Sequence, residues 1–184
     1  YEAIIRINSQ SGKGGIAYVL DADYGLKLPR NLQIEFSHDI QAITDAEGKE
    51  VPAKRIYERF VELYVDQPGA RLKFVDHHTY PDPVMKGRRL VEATILDGGR
   101  EVTITGTGNG PIDGFVNALS THIGIDLSVL DYSEHSIQRG SNASAICYME
   151  MEHPKGKLFG VGINTNIVAA SLEAVVSAAN RILG

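Results

Sequence analysis

The feature that most limits what this chain can fold into is an internal echo. Gly106-x-Gly108 is followed within a few residues by a helix pattern of small and apolar side chains, and Gly160-x-Gly162 is followed by another. The same order of strand signals precedes each glycine pair. In the first copy, residues 71–80 read as a strand and Pro81-Asp82-Pro83 breaks it. Residues 90–96 alternate, Asp97-Gly98-Gly99-Arg100 fits a hairpin turn, and residues 101–105 pair back. A glycine-rich turn over residues 106–110 then leads into a helix from Pro111, with Phe115, Ala118 and Leu119 inward. In the second copy, residues 125–132, 143–152 and 158–163 read as strands, with a turn at Pro154-Lys155-Gly156. Residues 170–183 read as a helix burying Leu172, Val175, Val176 and Ala179. Two βββα units in tandem are the simplest account. One helix only partly covers three strands, so each unit must bury its remainder against the other. The expected fold is α+β, with pseudo-twofold symmetry and a seam between the units.

The chain ahead of this repeat reads differently. Residues 3–8 suggest a short strand and residues 9–15 a breaker cluster, either a hinge or a turn that starts a helix. A helix opens at residues 16–20 and ends near Gly25. A second follows Pro29, with Leu32, Phe36, Ile40 and Ile43 on one stripe, and residues 45–49 turn. Pro52 opens a third helix with Ile56, Phe60, Leu63 and Tyr64 on one face, and Gln67-Pro68-Gly69 ends it. The expected division is a small helical linker subdomain over residues 1–50 and a second domain over residues 51–184. The chain starts at Tyr1 without Met and runs straight into a strand pattern, as expected of a C-terminal piece of a longer protein.

Composition narrows the function classes. Of 184 residues, 43% are hydrophobic and 22% charged, enough apolar surface for a core. The formal net charge of −5, with Lys and Arg scattered among acids, argues against a nucleic-acid role. The lone Cys147 sits in an apolar run and reads as a small buried hydrophobe. No apolar run has membrane-spanning length and no signal-peptide pattern opens the chain, so the cytoplasm is the expected compartment.

Few segments carry chemistry. Gly106-Thr107-Gly108-Asn109-Gly110-Pro111 delivers the chain to a helix start whose free N–H groups suit a carboxylate or phosphate. It is neither a dinucleotide fingerprint nor a P-loop, and a tight turn that binds nothing fits it equally. Residues 11–15 likewise lack P-loop spacing. Asp131, Glu134 and His135 suggest a metal or acid–base cluster, but strand alternation sends Asp131 and His135 to one face and Glu134 to the other. His77 and His78 split in the same way. Small residues at Ser141-Asn142-Ala143-Ser144-Ala145 leave volume for close packing or a ligand. No nucleophile–base–orienter set and no G-x-S-x-G elbow is present.

Residues 6–18 (Arg-Ile-Asn-Ser-Gln-Ser-Gly-Lys-Gly-Gly-Ile-Ala-Tyr), Leu28-Pro29-Arg30 and Leu32-Gln33-Ile34-Glu35-Phe36-Ser37 resemble the C-terminal part of the 2-isopropylmalate synthases, in particular their long, actinobacterial-like branch. So do Gly106 to Pro111, Leu130-Asp131-Tyr132 with Glu134-His135, and Gly160-Val161-Gly162 with Ala170-Ser171-Leu172; these later segments also resemble the regulatory domains of citramalate synthases. The resemblance spans nearly the whole chain. It implies a regulatory part of an acyltransferase whose (β/α)8 barrel, with its divalent metal and catalytic base, lies elsewhere. No catalytic residue, metal ligand or cofactor is expected in these residues. The implied partners are L-leucine or a similar branched amino acid and a second copy of the chain, with no nucleic acid and no membrane. Carried over by position, the effector site would comprise Gly108, Asn109, Gly110, Pro111, Ile112 and Asp113 at the first helix start. Val129, Tyr132 and Ser136 would come from the next strand, and Ala143 and Ala145 from the one after. Ser136 and Asp113 stand where the family often has Ala. Asp113 is expected either to pair with an effector ammonium or to alter selectivity. The alternatives are a citramalate-synthase-like module answering to isoleucine and a purely structural dimerisation module.

Overall fold

The computed structural model describes Arg6–Ile7 and residues 12–184. Two compact units are present, Tyr1–Asp66 and Gln67–Gly184.

In the first unit, β1 (Arg6–Ile7) pairs antiparallel with β2 (Val51–Pro52), beside α1 (Gly12–Tyr24), α2 (Arg30–Glu47) and α3 (Ala53–Phe60). One π-helical turn, Val61–Val65, continues α3. The rest of the strand expected over residues 3–8, and residues 9–11, lie outside the described residues. From Gly12 onward the glycine cluster forms the first turn of α1. Pro29 and Pro52 are extended residues that set the entry into α2 and α3. Helix α2 ends at Gly48, whose φ of 68° lets its N–H reach the Thr44 carbonyl. The buried stripe of α2 is Leu32, Phe36, Ile40 and Thr44. Thr44 replaces the expected Ile43 because its hydroxyl is satisfied by the Ile40 carbonyl at 2.9 Å, so the spacing of four continues. Phe36, Phe60 and Tyr64 form an aromatic cluster, and the Tyr64 hydroxyl donates to Glu35 at 2.6 Å.

The second unit holds the repeat: β3 (Leu72–Pro81), β4 (Arg89–Asp97), β5 (Arg100–Gly108) and α4 (Pro111–Ile123), then β6 (Ser128–Arg139), β7 (Asn142–His153), β8 (Gly156–Asn164) and α5 (Ile167–Leu183). Each βββ run is a three-stranded antiparallel sheet in sequence order. The echo reaches single residues. The register slips between Phe74 and Asp76 in one sheet and between Val129 and Asp131 in the other. At both slips the aspartate accepts the next backbone N–H, from His77 at 2.8 Å and from Tyr132 at 2.9 Å. β3 and β6 are edge strands, and a bulge with a donor spent on a side chain blunts an edge against foreign strands.

Two sequence expectations need correction. Gly106 and Gly108 do not lie in a turn; they end strand β5, and only Asn109 and Gly110 connect it to α4. Helix α4 lies so close on β5 that a Cβ on Gly106 would overlap the backbone of Gly114 and Ala118. Gly160 stands in the same relation to Ala174 and Ala178. The glycines therefore serve helix-on-sheet contact. Strand β6, expected to stop at Tyr132, runs to Arg139 because β7 starts early enough to pair with it around a hairpin at Gly140.

One core draws on both halves. Val91, Ile95, Phe115, Leu119, Met149, Leu172 and Val175 are fully buried in a single cluster, each contributing about 1.5–3 kcal/mol. Side chains of α5 also cover the outer edge of β8: Ser177 accepts the Val161 N–H at 3.1 Å and Arg181 donates to the Phe159 carbonyl at 2.6 Å. Further along α5, Asn180 brackets Leu72 of the opposite half, accepting from its N–H and donating to its carbonyl, both at 2.9 Å. Asp97 ties the β4–β5 hairpin to Arg71 and to His122 at the end of α4, both at 2.7 Å. Those two partners hold its carboxyl down at about 2.

Candidate functional site

The candidate residues fall into two groups. The first is the junction of β5 and α4. Gly108 is buried, and a Cβ there would lie 2.6 Å from the Gly114 nitrogen and 2.5 Å from an Asp113 carboxylate oxygen. Pro111 opens the helix and has no N–H to satisfy. The N-cap is Gly110, in extended backbone (φ −165°), which has no side chain to cap with. The first-turn N–H groups of Ile112 and Asp113 thus meet no capping side chain from that position. Asp113 is exposed and turns back to accept the Asn109 N–H at 2.9 Å.

The start of α5 is built differently. Its N-cap, Asn166, accepts the Ala169 N–H at 2.9 Å, and the Asn166 N–H is itself taken by the Asn164 side chain at 2.9 Å. Of two helices in equivalent places, α5 has an N-cap side chain, whereas α4 has none and carries an acid, Asp113, in its first turn. An open helix start attracts a carboxylate or phosphate.

The second group shares one face of the β6–β7–β8 sheet. Pairing sets Val129 opposite Met151, Tyr132 opposite Met149, Ser136 opposite Ala145, and Gln138 opposite Ala143. This is the face that buries Cys147, Met149 and Met151. Helix α5 packs on β7 and β8, and the far part of β6 stays open: Tyr132 is 46% exposed, Ser136 and Ala143 are exposed, and Ala145 is half-buried. The opposite face carries Asp131 and His135, as alternation requires, and His135 shares a 2.8 Å hydrogen bond with the Tyr148 hydroxyl. Among the described residues no cluster of His, Cys, Asp or Glu has the arrangement to hold a metal.

Each group is assembled within itself; no hydrogen bond among the described residues joins one to the other. An open groove of about 470 Å³ lies elsewhere, lined by Asp126, Leu127, Ser128, Glu152, His153 and Pro154. The sequence reading missed Arg88, whose Nη1 lies 3.4 Å from the Asn109 Oδ1. The signal available was the hairpin register, which sets Arg89 opposite Gly108 and so carries its neighbour to the helix start.

The second unit is a duplicated βββα domain in which only the second helix has a capping side chain. Residues 50–183 match the family described as the LeuA allosteric (dimerisation) domain, and the chain belongs to that family. Residues 1–21 match the family described as alpha-isopropylmalate synthase, post-catalytic domain-like. The chain is 83% identical over 184 residues to the 2-isopropylmalate synthase of Mesorhizobium japonicum, covering all of this chain and 33% of that protein. It is 73% identical over 183 residues to the 2-isopropylmalate synthase of Agrobacterium fabrum, again 33% of that protein. A more distant one, from Thermobifida fusca, is 48% identical over 98% of this chain and 31% of its own length. The chain therefore spans about a third of the length of these relatives. The resemblance to 2-isopropylmalate synthases carried by the sequence motifs is borne out. No helix among the described residues is long and apolar enough to cross a membrane.

Proposed function

We propose that this domain binds L-leucine and reports its presence to a 2-isopropylmalate synthase active site in the same cytoplasmic protein, giving feedback inhibition of leucine synthesis. Functionally, residues 1–50 are the linker and residues 51–184 the effector-binding and dimerising part, although α3 packs within the first compact unit. The observation that carries the reading is the unequal capping of α4 and α5. In a regulatory domain of this family, the helix start left open is the place for the effector carboxylate. Val129, Tyr132, Ser136, Ala143 and Ala145 supply a wall with room for a branched side chain, and a second copy of the chain is the expected dimer partner.

Burying an isobutyl group contributes about 2 kcal/mol, so the charged ends must supply the rest of the affinity. Inhibition requires unequal affinity for two arrangements of the domain, since equally tight binding to both shifts nothing. Calorimetry of the 184-residue chain with leucine, isoleucine and valine tests the reading. Saturable heat with leucine strongest is the expected result. A preference for isoleucine would transfer the domain to the citramalate-synthase-like alternative. Flat heats with all three would leave a dimerisation module alone.

A further inference from the structure

We infer that Asn109, in the connection from β5 to α4, is a self-modification site whose side-chain amide is lost by ring closure onto the Gly110 nitrogen. Asn109-Gly110 is the only Asn-Gly pair in the chain, and every other asparagine precedes a residue that carries a side chain. A side chain at that place hinders the approach of the next backbone nitrogen, whereas glycine puts nothing in the way. The surroundings are open as well: a Cβ on Gly110 would meet nothing within 4 Å. Asn109 is exposed and lies outside both the strand and the helix. Among the described residues the Gly110 N–H, which must attack, donates to no acceptor. Only the oxygen end of the Asn109 carboxamide is engaged, by Arg88 Nη1 at 3.4 Å. Other asparagines hold their amide nitrogens in place: Asn117 donates to the Thr107 carbonyl at 2.8 Å, Asn180 to the Leu72 carbonyl at 2.9 Å and Asn164 to Glu173 at 3.1 Å.

In the first step a bond forms from the Gly110 nitrogen to Asn109 Cγ. The Cγ–Nδ2 bond breaks, and the amide leaves as ammonia with the proton given up by the Gly110 N–H. Water then opens the cyclic imide. Cleavage between Cγ and the Gly110 nitrogen leaves aspartate. Cleavage between that nitrogen and the Asn109 main-chain carbonyl leaves isoaspartate, which adds a methylene to the main chain of a connection made only of Asn109 and Gly110. Water enters, ammonia departs, and no group is oxidised or reduced. Arg88 Nη1 faces the oxygen that gains negative charge during ring closure, so the guanidinium favours that step. A chain that binds no leucine would convert in the same way.

The test holds the wild-type chain in warm, mildly alkaline buffer, folded and in denaturant, and weighs its proteolytic peptides over time. In the folded chain the peptide with Asn109 is expected to gain the mass difference between amide and acid ahead of every other asparagine peptide, as separable aspartyl and isoaspartyl forms. Gly110→Ala, which has room for its methyl group, should slow the conversion in both states. Arg88→Gln should slow the folded chain by about tenfold, the effect of one exposed ionic donor, and leave the denatured chain unchanged. The wild-type comparison stands alone if neither variant folds. A peptide that stays intact in the folded chain and converts only in denaturant overturns the assignment of Asn109. Gly110→Ala converting as fast as wild type overturns ring closure as the route. Equal folded-state rates for wild type and Arg88→Gln overturn the part given to Arg88.

Discussion

Replacing Gly106 by alanine tests whether the paired glycines exist for packing. On the present backbone the added methyl overlaps the Gly114 carbonyl oxygen, lies 2.6 Å from the Ala118 nitrogen and touches the Ala118 Cα at 3.0 Å. Comfortable contact needs about 3.5 Å. The obstructing atoms are all helix backbone, so no rotamer change relieves them. Helix α4 must rise about 1 Å off β5, loosening Phe115 and Leu119, which are fully buried there. Overpacking costs about 1–3 kcal/mol, and with backbone on the far side the upper half of that range applies, about 2–3 kcal/mol. For a unit the size of Gln67–Gly184, that is about 8–12 °C in Tm. Gly160→Ala meets Ala174 and Ala178 in the same way and should cost at least as much. The control is Gly110→Ala, where nothing lies within 4 Å and φ is −165°. Only a favourable N-cap residue is lost there, at most about 1 kcal/mol. Thermal melts followed by circular dichroism give the comparison. If all three variants melt together, close helix-on-sheet contact is not why the glycines are there.

Three other expectations follow from buried or paired ionisable groups. Cys147 is fully buried and burial pushes its thiol up to about 11, so iodoacetamide at pH 8 should label it only in denaturant; rapid labelling of the folded chain, read by mass spectrometry, would contradict its burial. Asp97 is held at about 2 by Arg71 and His122, below its ordinary 3.8. Its contribution is present above pH 3.8 and is lost as pH falls through about 2. Asp97→Asn should therefore flatten the fall of the urea midpoint between pH 5 and pH 2, by less than about 1 kcal/mol because the pairs lie near the surface; parallel wild-type and variant curves would refute this. Burial raises the Glu173 carboxyl against the pull of Asn164 and the Ile163 backbone. A raised acid favours the folded state at low pH and withdraws that support as pH rises through its folded pKa. Glu173→Gln should remove this slope without loss at pH 7, and a variant markedly less stable at pH 7 would refute it.

The duplicated architecture was legible because it is written in periodicity: alternation across residues 90–96, the Asp97-Gly98-Gly99-Arg100 turn, and apolar spacing in both helices. Gly98 and Gly99 do adopt positive φ, 60° and 81°, as that turn demands. The role of Gly106 and Gly108 was harder to read, because a glycine that admits a ligand and one that admits a helix look the same in one dimension. What separates them is the identity of the atoms above each Cα. Val129 and Tyr132 were grouped only by the resemblance, because strict alternation separates them and the bulge at Leu130 that brings them to one face is seen only in the strand register. Arg88 was invisible for a different reason: its relation to Asn109 depends on a hairpin register and on the fold of a loop, neither of which has a residue pattern of its own. Asn166 did carry a signal, since asparagine ahead of an apolar helical run is a favoured N-cap, but the helix was expected to start only at residue 170 rather than Ile167.

Asn180 sits in the final turns of the chain, yet it secures both polar backbone groups of Leu72, the residue that opens the first strand of the repeat. During synthesis the leading half leaves the ribosome long before residue 180 does. Its outermost strand then lacks a fastening that only α5 can provide. The earlier half should therefore gain its full protection only once α5 has been made, and both halves should lock as one event rather than in sequence.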